Sequence, residues 1–134
     1  MSDLWIPSTL DEYLELDQWL MSERSKSIDR WVEAMRYYSL RDLFFLINRV
    51  LPMKSEKHSE YGTPFFWHEE YLKLCKWTQW AIDEQVSTID ISARRSAKST
   101  IRTHAAPIQI ALRDPNTSIC IFSVERGLAK KYLK

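Results

Sequence analysis

Glycine and cysteine are both scarce in this chain, which has only two of each among its 134 residues. Cys75 and Cys120 lie in different segments and form no CxxC pair, so the sequence has neither a disulfide framework nor zinc-ligand spacing. A reducing interior is the expected compartment for such a protein. The N-terminus is acidic and interrupted, unlike a signal peptide, and no apolar run approaches the length that spans a membrane.

Aromatic residues, in contrast, are abundant, with six tryptophans and six tyrosines. This content excludes a disordered chain, which has few aromatics, and the length fits one compact domain. The formal net charge of +1 leaves both nucleic-acid and protein partners open, because the distribution of charge matters more than its total.

Helical periodicity dominates residues 1–51, for which we predict a helical N-terminal region. Ser8 and Thr9 are each followed three residues later by an acid, Asp11 and Glu12, which is typical of a capping box at a helix start. Apolar residues then recur at helical spacing through "IDRWVEAMRYYSLRDLFFLINRVL". These stripes indicate packing faces.

The polar, proline-bounded stretch "PMKSEKHSEYGTP" predicts a linker over residues 52–64, and the pattern changes beyond it. "FFWHEEYLKLCKWTQWAIDEQ" predicts a helix, and the β-branched "TIDIS" predicts a short strand. "KSTIRTHAAPIQIALRD" predicts a helix bent at Pro107, with Ile101, Ala105, Ile108 and Leu112 on its apolar face. "SICIFS" predicts a buried strand and "VERGLAKKYLK" a last helix. The predicted fold class is therefore α/β: N-terminal helices, then a first βαβα portion of a parallel sheet with a right-handed crossover.

The segment "TIDISARRSAKSTIRT" places a basic turn between a predicted strand and a predicted helix. Lys98 and Ser99 occupy the lysine and hydroxyl positions of a phosphate-binding loop, where the lysine neutralises the outer phosphates and the hydroxyl helps to hold magnesium. Ser92 and Ala97 stand where that loop usually has glycines, so the motif by itself is weak. A solvated lysine at an ordinary helix start is the alternative interpretation.

Two further features favour an anionic ligand. The first is a cluster of cations around the predicted helix start, made of Arg94, Arg95, Lys98 and Arg102. Cations at a helix N-terminus oppose the helix dipole unless an anion offsets them. The second is the pair Trp67 and His68, since an aromatic beside a hydrogen-bonding side chain can stack on adenine and read its edge. A partly buried aromatic and a surface histidine are the alternative interpretation for this pair.

Taken together, these segments resemble the start of the ATPase domain of the large terminase subunit, the motor that packages DNA in tailed bacteriophages. The resemblance runs through "LRDLFFLINRVL", "FFWHEEYLKLCKW", "ISARRSAKST" and "PNTSICIFSVERGLAKKYLK", in that order. It implies that residues 65–134 begin a P-loop NTPase core that binds ATP and Mg²⁺. The complete protein would translocate double-stranded DNA into a procapsid.

The resemblance also implies roles for individual residues. Lys98 would contact the β- and γ-phosphates, and the Ser99 hydroxyl would ligate magnesium. Arg94 would be catalytic, acting in cis on the γ-phosphate like an arginine finger. Trp67 and His68 would lie on the adenine side, with histidine in place of the more usual glutamine. The implied nucleotide-binding set is Ala93, Arg94, Arg95, Ser96, Ala97, Lys98, Ser99, Thr100, Trp67 and His68.

Later parts of that domain are missing from this sequence: a strand ending in Asp-Glu, a coupling motif and a nuclease domain with clustered acids. We therefore expect an N-terminal piece of an ATPase and endonuclease, truncated before the Walker B strand and inactive alone, because phosphoryl transfer depends on positioning and charge stabilisation. The complete, oligomeric system would work in the host cytoplasm with DNA, a portal and a small terminase subunit.

Two alternatives remain open. A helicase-like P-loop ATPase of another system can also carry an aromatic-polar motif before its phosphate loop. A non-enzymatic helical module could instead use Arg94, Arg95, Lys98 and Arg102 to contact a nucleic-acid backbone, with steep salt dependence.

Overall fold

The computed structural model describes residues 4–51, 67–89, 91 and 99–120. Its elements in chain order are the α-helices and π-helices α1 (Leu10–Lys26), α2 (Ile28–Arg41), α3 (Leu43–Phe45), π1 (Leu46–Val50), α4 (Glu69–Asp83), π2 (Thr100–Ala105) and α5 (Ala106–Arg113). These described residues form a helical assembly and include no β-strand.

The α/β fold class expected from the sequence is therefore wrong for the described chain. Thr88, Ile89 and Ile91 of "TIDIS" are not in a strand, nor are residues 118–120 of "SICIFS". Ile89 and Ile91 are 85% and 95% exposed, so their β-branched side chains have no neighbouring strand to pack against. β-Propensity largely reflects such packing, which is why a short β-branched run did not specify a strand. Residues 52–64, 121–123 and the predicted last helix at 124–134 lie outside the described residues.

The start of α1 is fixed by the capping residues that the sequence indicates. Thr9 is the N-cap, and its hydroxyl accepts a hydrogen bond from the Glu12 N–H at 3.3 Å. The Glu12 carboxylate accepts in turn from the Ser8 N–H at 2.6 Å, one residue before the cap. Ser27 both ends α1 and begins α2, since its N–H donates to Glu23 O and its hydroxyl accepts from the Arg30 N–H. The two helices therefore meet with no intervening loop.

A single apolar core joins α1, α2, α4 and π2 around the α3–π1 segment. Every residue from 42 to 48 is buried, so this short segment lies at the centre. Phe44 packs on Tyr13 with ring centroids 4.8 Å apart, and Phe45 packs on Tyr38 at 5.3 Å. The buried apolar members of the core are Tyr13, Leu16, Leu20, Ala34, Tyr38, Leu43, Phe44, Phe45, Leu46, Ile47, Leu72, Cys75, Ile101, Ala105 and Ala106.

Pro107 lies in the first turn of α5, where a proline is well tolerated. The last π-type bond of the preceding element runs from the Ala106 N–H to Ile101 O. The hydrogen bonding thus changes from π to α type at Pro107, which has no N–H to donate. The expected disruption by Pro107 takes the form of this local change in helix type.

The π-helical turn also shifts the buried face of the helix that follows it. The sequence predicted an apolar face that includes Ile108 and Leu112, yet Leu112 is 53% exposed and Gln109 is fully buried. A π-helix has more residues per turn than an α-helix, so each later side chain is rotated relative to uniform α-helical spacing. The helix consequently directs a glutamine, rather than a leucine, into the protein.

Candidate functional site

Most of the predicted phosphate-binding loop lies outside the described residues, namely Ala93, Arg94, Arg95, Ser96, Ala97 and Lys98. The nucleotide contacts of these residues, the catalytic role of Arg94 and the phosphate contact of Lys98 therefore remain predictions. The structure describes residues on both sides of the loop. Thr88, Ile89 and Ile91 precede it, and the described chain resumes at Ser99.

Ser99 has helical backbone angles, φ −65° and ψ −37°, and leads directly into π2. Its side chain is exposed and makes no capping hydrogen bond to the helix. Thr100 is the first residue of π2, and the helical run then continues to Arg113. A helix is therefore present after the loop, and the Ser99 side chain makes no capping hydrogen bond to it, whereas no strand is present in the described residues before the loop.

Trp67 belongs to an aromatic cluster at the start of α4. Its ring centroid is 5.6 Å from that of Phe44 and 6.1 Å from that of Tyr13. The Arg49 guanidinium lies over the ring at 4.7 Å and forms a two-point ion pair with Asp17. A base that stacks on this face of Trp67 must therefore displace or share the Arg49 contact.

His68 is the N-cap of α4, and its Nδ1 accepts a hydrogen bond from the Glu70 N–H at 3.2 Å. The side chain is exposed, with its ring centroid 6.2 Å from that of Tyr71. Because Nδ1 is an acceptor for the helix, Nε2 is the ring nitrogen that remains for a ligand. The histidine thus has a local structural role that the sequence did not indicate.

A buried carboxylate organises the break between α2 and α3. Asp42 is 1% exposed, and its Oδ1 accepts from the N–H groups of Phe44 and Phe45 at 3.0 and 3.2 Å. Its Oδ2 accepts from the Tyr13 hydroxyl and from Lys76 Nζ at 3.2 Å. Burial, followed by the Asp42 charge, raises the pKa of Tyr13 far above its usual value, so this hydroxyl stays protonated as a donor.

Side chains from α4 and α5 satisfy the other backbone groups at this break. The pairs are Gln79 Oε1 with the Leu43 N–H at 3.0 Å, Gln109 Nε2 with Ser39 O at 3.2 Å, and Arg113 Nε with Leu40 O. Arg113 also forms an ion pair with Asp83 at 2.7 Å. Helix termini otherwise leave such groups without partners. The helix that follows the loop is therefore fixed against the N-terminal helices by specific hydrogen bonds.

An open groove of about 610 Å³ lies between the end of α4 and the π2–α5 helix. Arg102 lines it, with its guanidinium 4.2 Å from the centre of the Trp77 ring and NH1 donating to Thr88 Oγ1 at 3.2 Å. The sequence grouped Arg102 with the loop cations, but the structure places it against α4 and the residue that leads into the loop. No local pattern indicates this contact, because it joins three separate segments.

No group of three His, Cys, Asp or Glu side chains is placed to hold a metal ion in the described ranges. Ser99, to which the resemblance assigns magnesium, has an exposed side chain that makes no capping hydrogen bond to the helix.

Among the described helices, none has both the length and the hydropathy needed to span a bilayer.

No family model, curated protein or solved structure matches the chain.

Proposed function

We propose that this chain is the ATP-binding N-terminal part of a viral large terminase subunit, the motor that moves double-stranded DNA into a procapsid. The observation that carries the proposal is the position of Ser99, which follows Lys98 in the sequence and leads directly into a helix that extends to Arg113. The N-terminus of a helix attracts anions, and the exposed Ser99 hydroxyl suits a magnesium ligand. The "ARRSAKST" sequence supplies the remaining groups of a phosphate site.

The attachment of the helix to the rest of the protein supports this proposal. Gln109 and Arg113 bind backbone carbonyls of α2, and Ile101 and Ala105 are fully buried in the core. A ligand site needs its first contacts held by a rigid support. The buried part of this helix provides that support, while Ser99 at its start stays exposed.

The arrangement of the elements around Trp67 gives further support. Trp67 contacts Arg49 of π1, and π1 packs against π2. The proposed adenine-side residue and the proposed phosphate helix therefore contact one common element. We expect a nucleotide to bind with the base near Trp67 and His68 and the phosphates at Ser99.

In this proposal Lys98 neutralises the β- and γ-phosphates, and Arg94 stabilises charge that develops on the γ-phosphate. Bound magnesium would offset phosphate charge, with Ser99 as its protein ligand. Hydrolysis additionally needs a carboxylate that orients the metal and the attacking water. We therefore expect nucleotide binding on this chain, and we assign ATP turnover, DNA cleavage and DNA translocation to the complete motor.

The test is thermal or urea unfolding with and without Mg-ATP, comparing the unaltered protein with Lys98→Ala. At about one hundred times the dissociation constant, ATP should add about 2.7 kcal/mol to the free energy of unfolding, and Lys98→Ala should abolish the gain. Lys73→Ala is the matched control, since Lys73 is an exposed lysine of α4. A protein whose stability does not change at millimolar Mg-ATP would contradict the proposal.

A second candidate function is a helical module that binds a nucleic-acid backbone. The absence of a strand at Thr88–Ile89 and Ile91, ahead of the loop, favours it, because phosphate contacts by Arg94, Arg95 and Lys98 need no strand. Such binding should weaken steeply as salt rises and should be indifferent to ATP. Fluorescence anisotropy with a short DNA duplex at several salt concentrations separates this function from nucleotide binding.

A further inference from the structure

Arg102 connects the chain segments on both sides of the basic loop. Its guanidinium donates from NH1 to Thr88 Oγ1 at 3.2 Å, although the two residues are 14 positions apart. Thr88 lies before the loop and Arg102 lies in π2, after it. This hydrogen bond therefore brings the two ends of the loop segment together.

Trp77 fixes the orientation of the same guanidinium. The Arg102 Cζ atom lies 4.2 Å from the centre of the Trp77 ring, within the range of a cation–π contact. Trp77 belongs to α4, whose neighbouring side chains Cys75 and Thr78 are buried. The aromatic platform is thus part of a helix that is anchored in the core.

We propose that Arg102 is a positioning residue for the phosphate loop, acting through Thr88 and Trp77 rather than through contact with phosphate. The inference rests on the proposed function and deepens it. Ordering a chain segment on ligand binding costs conformational entropy, and a side-chain bond between two positions that flank the segment lowers the part of that cost left for ligand binding. The planar guanidinium suits this task because it stacks on an aromatic ring and donates in its own plane at the same time.

The central test measures Mg-ATP affinity by calorimetry for Thr88→Val, which removes the hydroxyl acceptor and preserves side-chain volume. We expect binding to weaken about tenfold, which corresponds to about 1.4 kcal/mol. Thr88→Ser restores a hydroxyl and should rescue most of the affinity. Thr103→Val is the matched control, because it makes the same change one residue from Arg102 and should leave affinity unaltered.

Arg102→Lys separates positioning from direct charge contact. Lysine keeps the positive charge and loses the planar fork that contacts both Thr88 and Trp77, so the variant should bind Mg-ATP at least as weakly as Thr88→Val. The double variant Thr88→Val with Arg102→Lys should be no weaker than Arg102→Lys alone, because Arg102→Lys already disrupts the interaction that Thr88→Val removes. Normal affinity in Thr88→Val together with weak binding in Arg102→Lys would assign Arg102 to the phosphates and overturn the inference.

The same variants distinguish failure of this inference from failure of the proposed function. If the unaltered protein binds no Mg-ATP, the proposed function fails. The contact between Thr88 and Arg102 is then measured by a double-mutant cycle on the urea midpoint. Additive effects in that cycle would show that the two side chains do not interact, which overturns the positioning role independently of any nucleotide.

Discussion

The segment 42–48 and the segment 84–91 differ in burial, although each directly follows a long helix. Every residue of the first is buried, and side chains from α1 and α4 meet its backbone or its Asp42 carboxylate. In the second, every described residue is exposed except Thr88, which is half-buried and bonded to Arg102. Packing is therefore dense at the centre of the helical assembly, and it is sparse around the described residues that lead into the proposed phosphate loop. Binding regions are commonly drawn from the less stable parts of a protein.

The largest expected effect comes from truncating one apolar residue in each segment. Leu46→Ala, within the buried segment, should lower the free energy of unfolding by about 2–5 kcal/mol through lost burial and a cavity. Ile89→Ala, at 85% exposure, should change it by less than about 0.5 kcal/mol. Urea unfolding of both variants measures the contrast. Similar losses of unfolding free energy in Leu46→Ala and Ile89→Ala would show that Ile89 is packed and that the two segments do not differ in packing.

Alkaline pH provides the second test, through Tyr38 beside the buried segment. Burial, then the nearby Tyr37 and Asp42 charges, raises the pKa of Tyr38 from 10.0 to about 12. Its hydroxyl has no hydrogen-bond partner in the described chain. Because the unfolded state loses this proton first, stability from Tyr38 is complete below pH 10 and is lost as pH rises towards 12.

Comparison of the unaltered protein with Tyr38→Phe isolates this effect. We expect the difference between their free energies of unfolding to be constant from pH 7 to 9 and to shift by about 2–3 kcal/mol against the unaltered protein by pH 12. Tyr13 and Cys75, whose pKa values burial also raises, are common to both proteins and cancel. If the unfolding free energies of the two proteins differ by a constant amount up to pH 12, the raised pKa of Tyr38 is contradicted.

A smaller effect is expected at Gln109, which ties α5 to the end of α2. Gln109→Leu keeps a buried side chain but removes the donor to Ser39 O, so it should cost about 1–3 kcal/mol even though leucine is apolar. Gln18→Leu, on the exposed side of α1, is the control and should have little effect. A stabilised Gln109→Leu variant would show that this hydrogen bond contributes nothing.

The smallest effect is a gain in stability within the exposed segment. Gln85 follows α4 with φ 54°, and the bonds from the Gln85 N–H to Ile82 O and from the Val86 N–H to Ala81 O complete a Schellman ending. Glycine adopts this left-handed conformation without a Cβ clash, so Gln85→Gly should stabilise the protein by about 0.5–1 kcal/mol. Gln85→Ala keeps the clash and should give no gain. Equal midpoints for the two variants in urea would show that the conformation is unstrained.

Local features of this protein could be predicted from its sequence, and features set by distant contacts could not. The Thr9 and Glu12 cap, and helices in the segments that became α1, α2, α4 and α5, follow from neighbouring residues. The burial of the Gln109 side chain depends on the π-helical turn before it, which no residue pattern predicts. The expected strand at "TIDIS" failed because β-branched side chains specify a strand only where a partner covers them.

The candidate site divides in the same way. The sequence predicted a helix after the loop, and Ser99 has helical backbone angles at the first described residue beyond it. The helix-capping role of His68, the Arg49 contact over Trp67 and the attachment of Arg102 to Trp77 were not, because each depends on a neighbour brought in by folding. His68 bonds to a backbone group two residues away, but nothing distinguishes it in the sequence from a surface histidine.

The α2–α3 break limits how far the protein can fold during its synthesis on the ribosome. The groups that complete it come from positions 79, 109 and 113, which are synthesised long after residues 39–43 have left the peptidyl-transferase centre. While the chain is being synthesised, the α2–α3 break therefore lacks some of these hydrogen bonds until α5 has emerged from the ribosome. Contacts between such distant positions slow folding, so we expect the last step of folding to be the attachment of α5 to the end of α2.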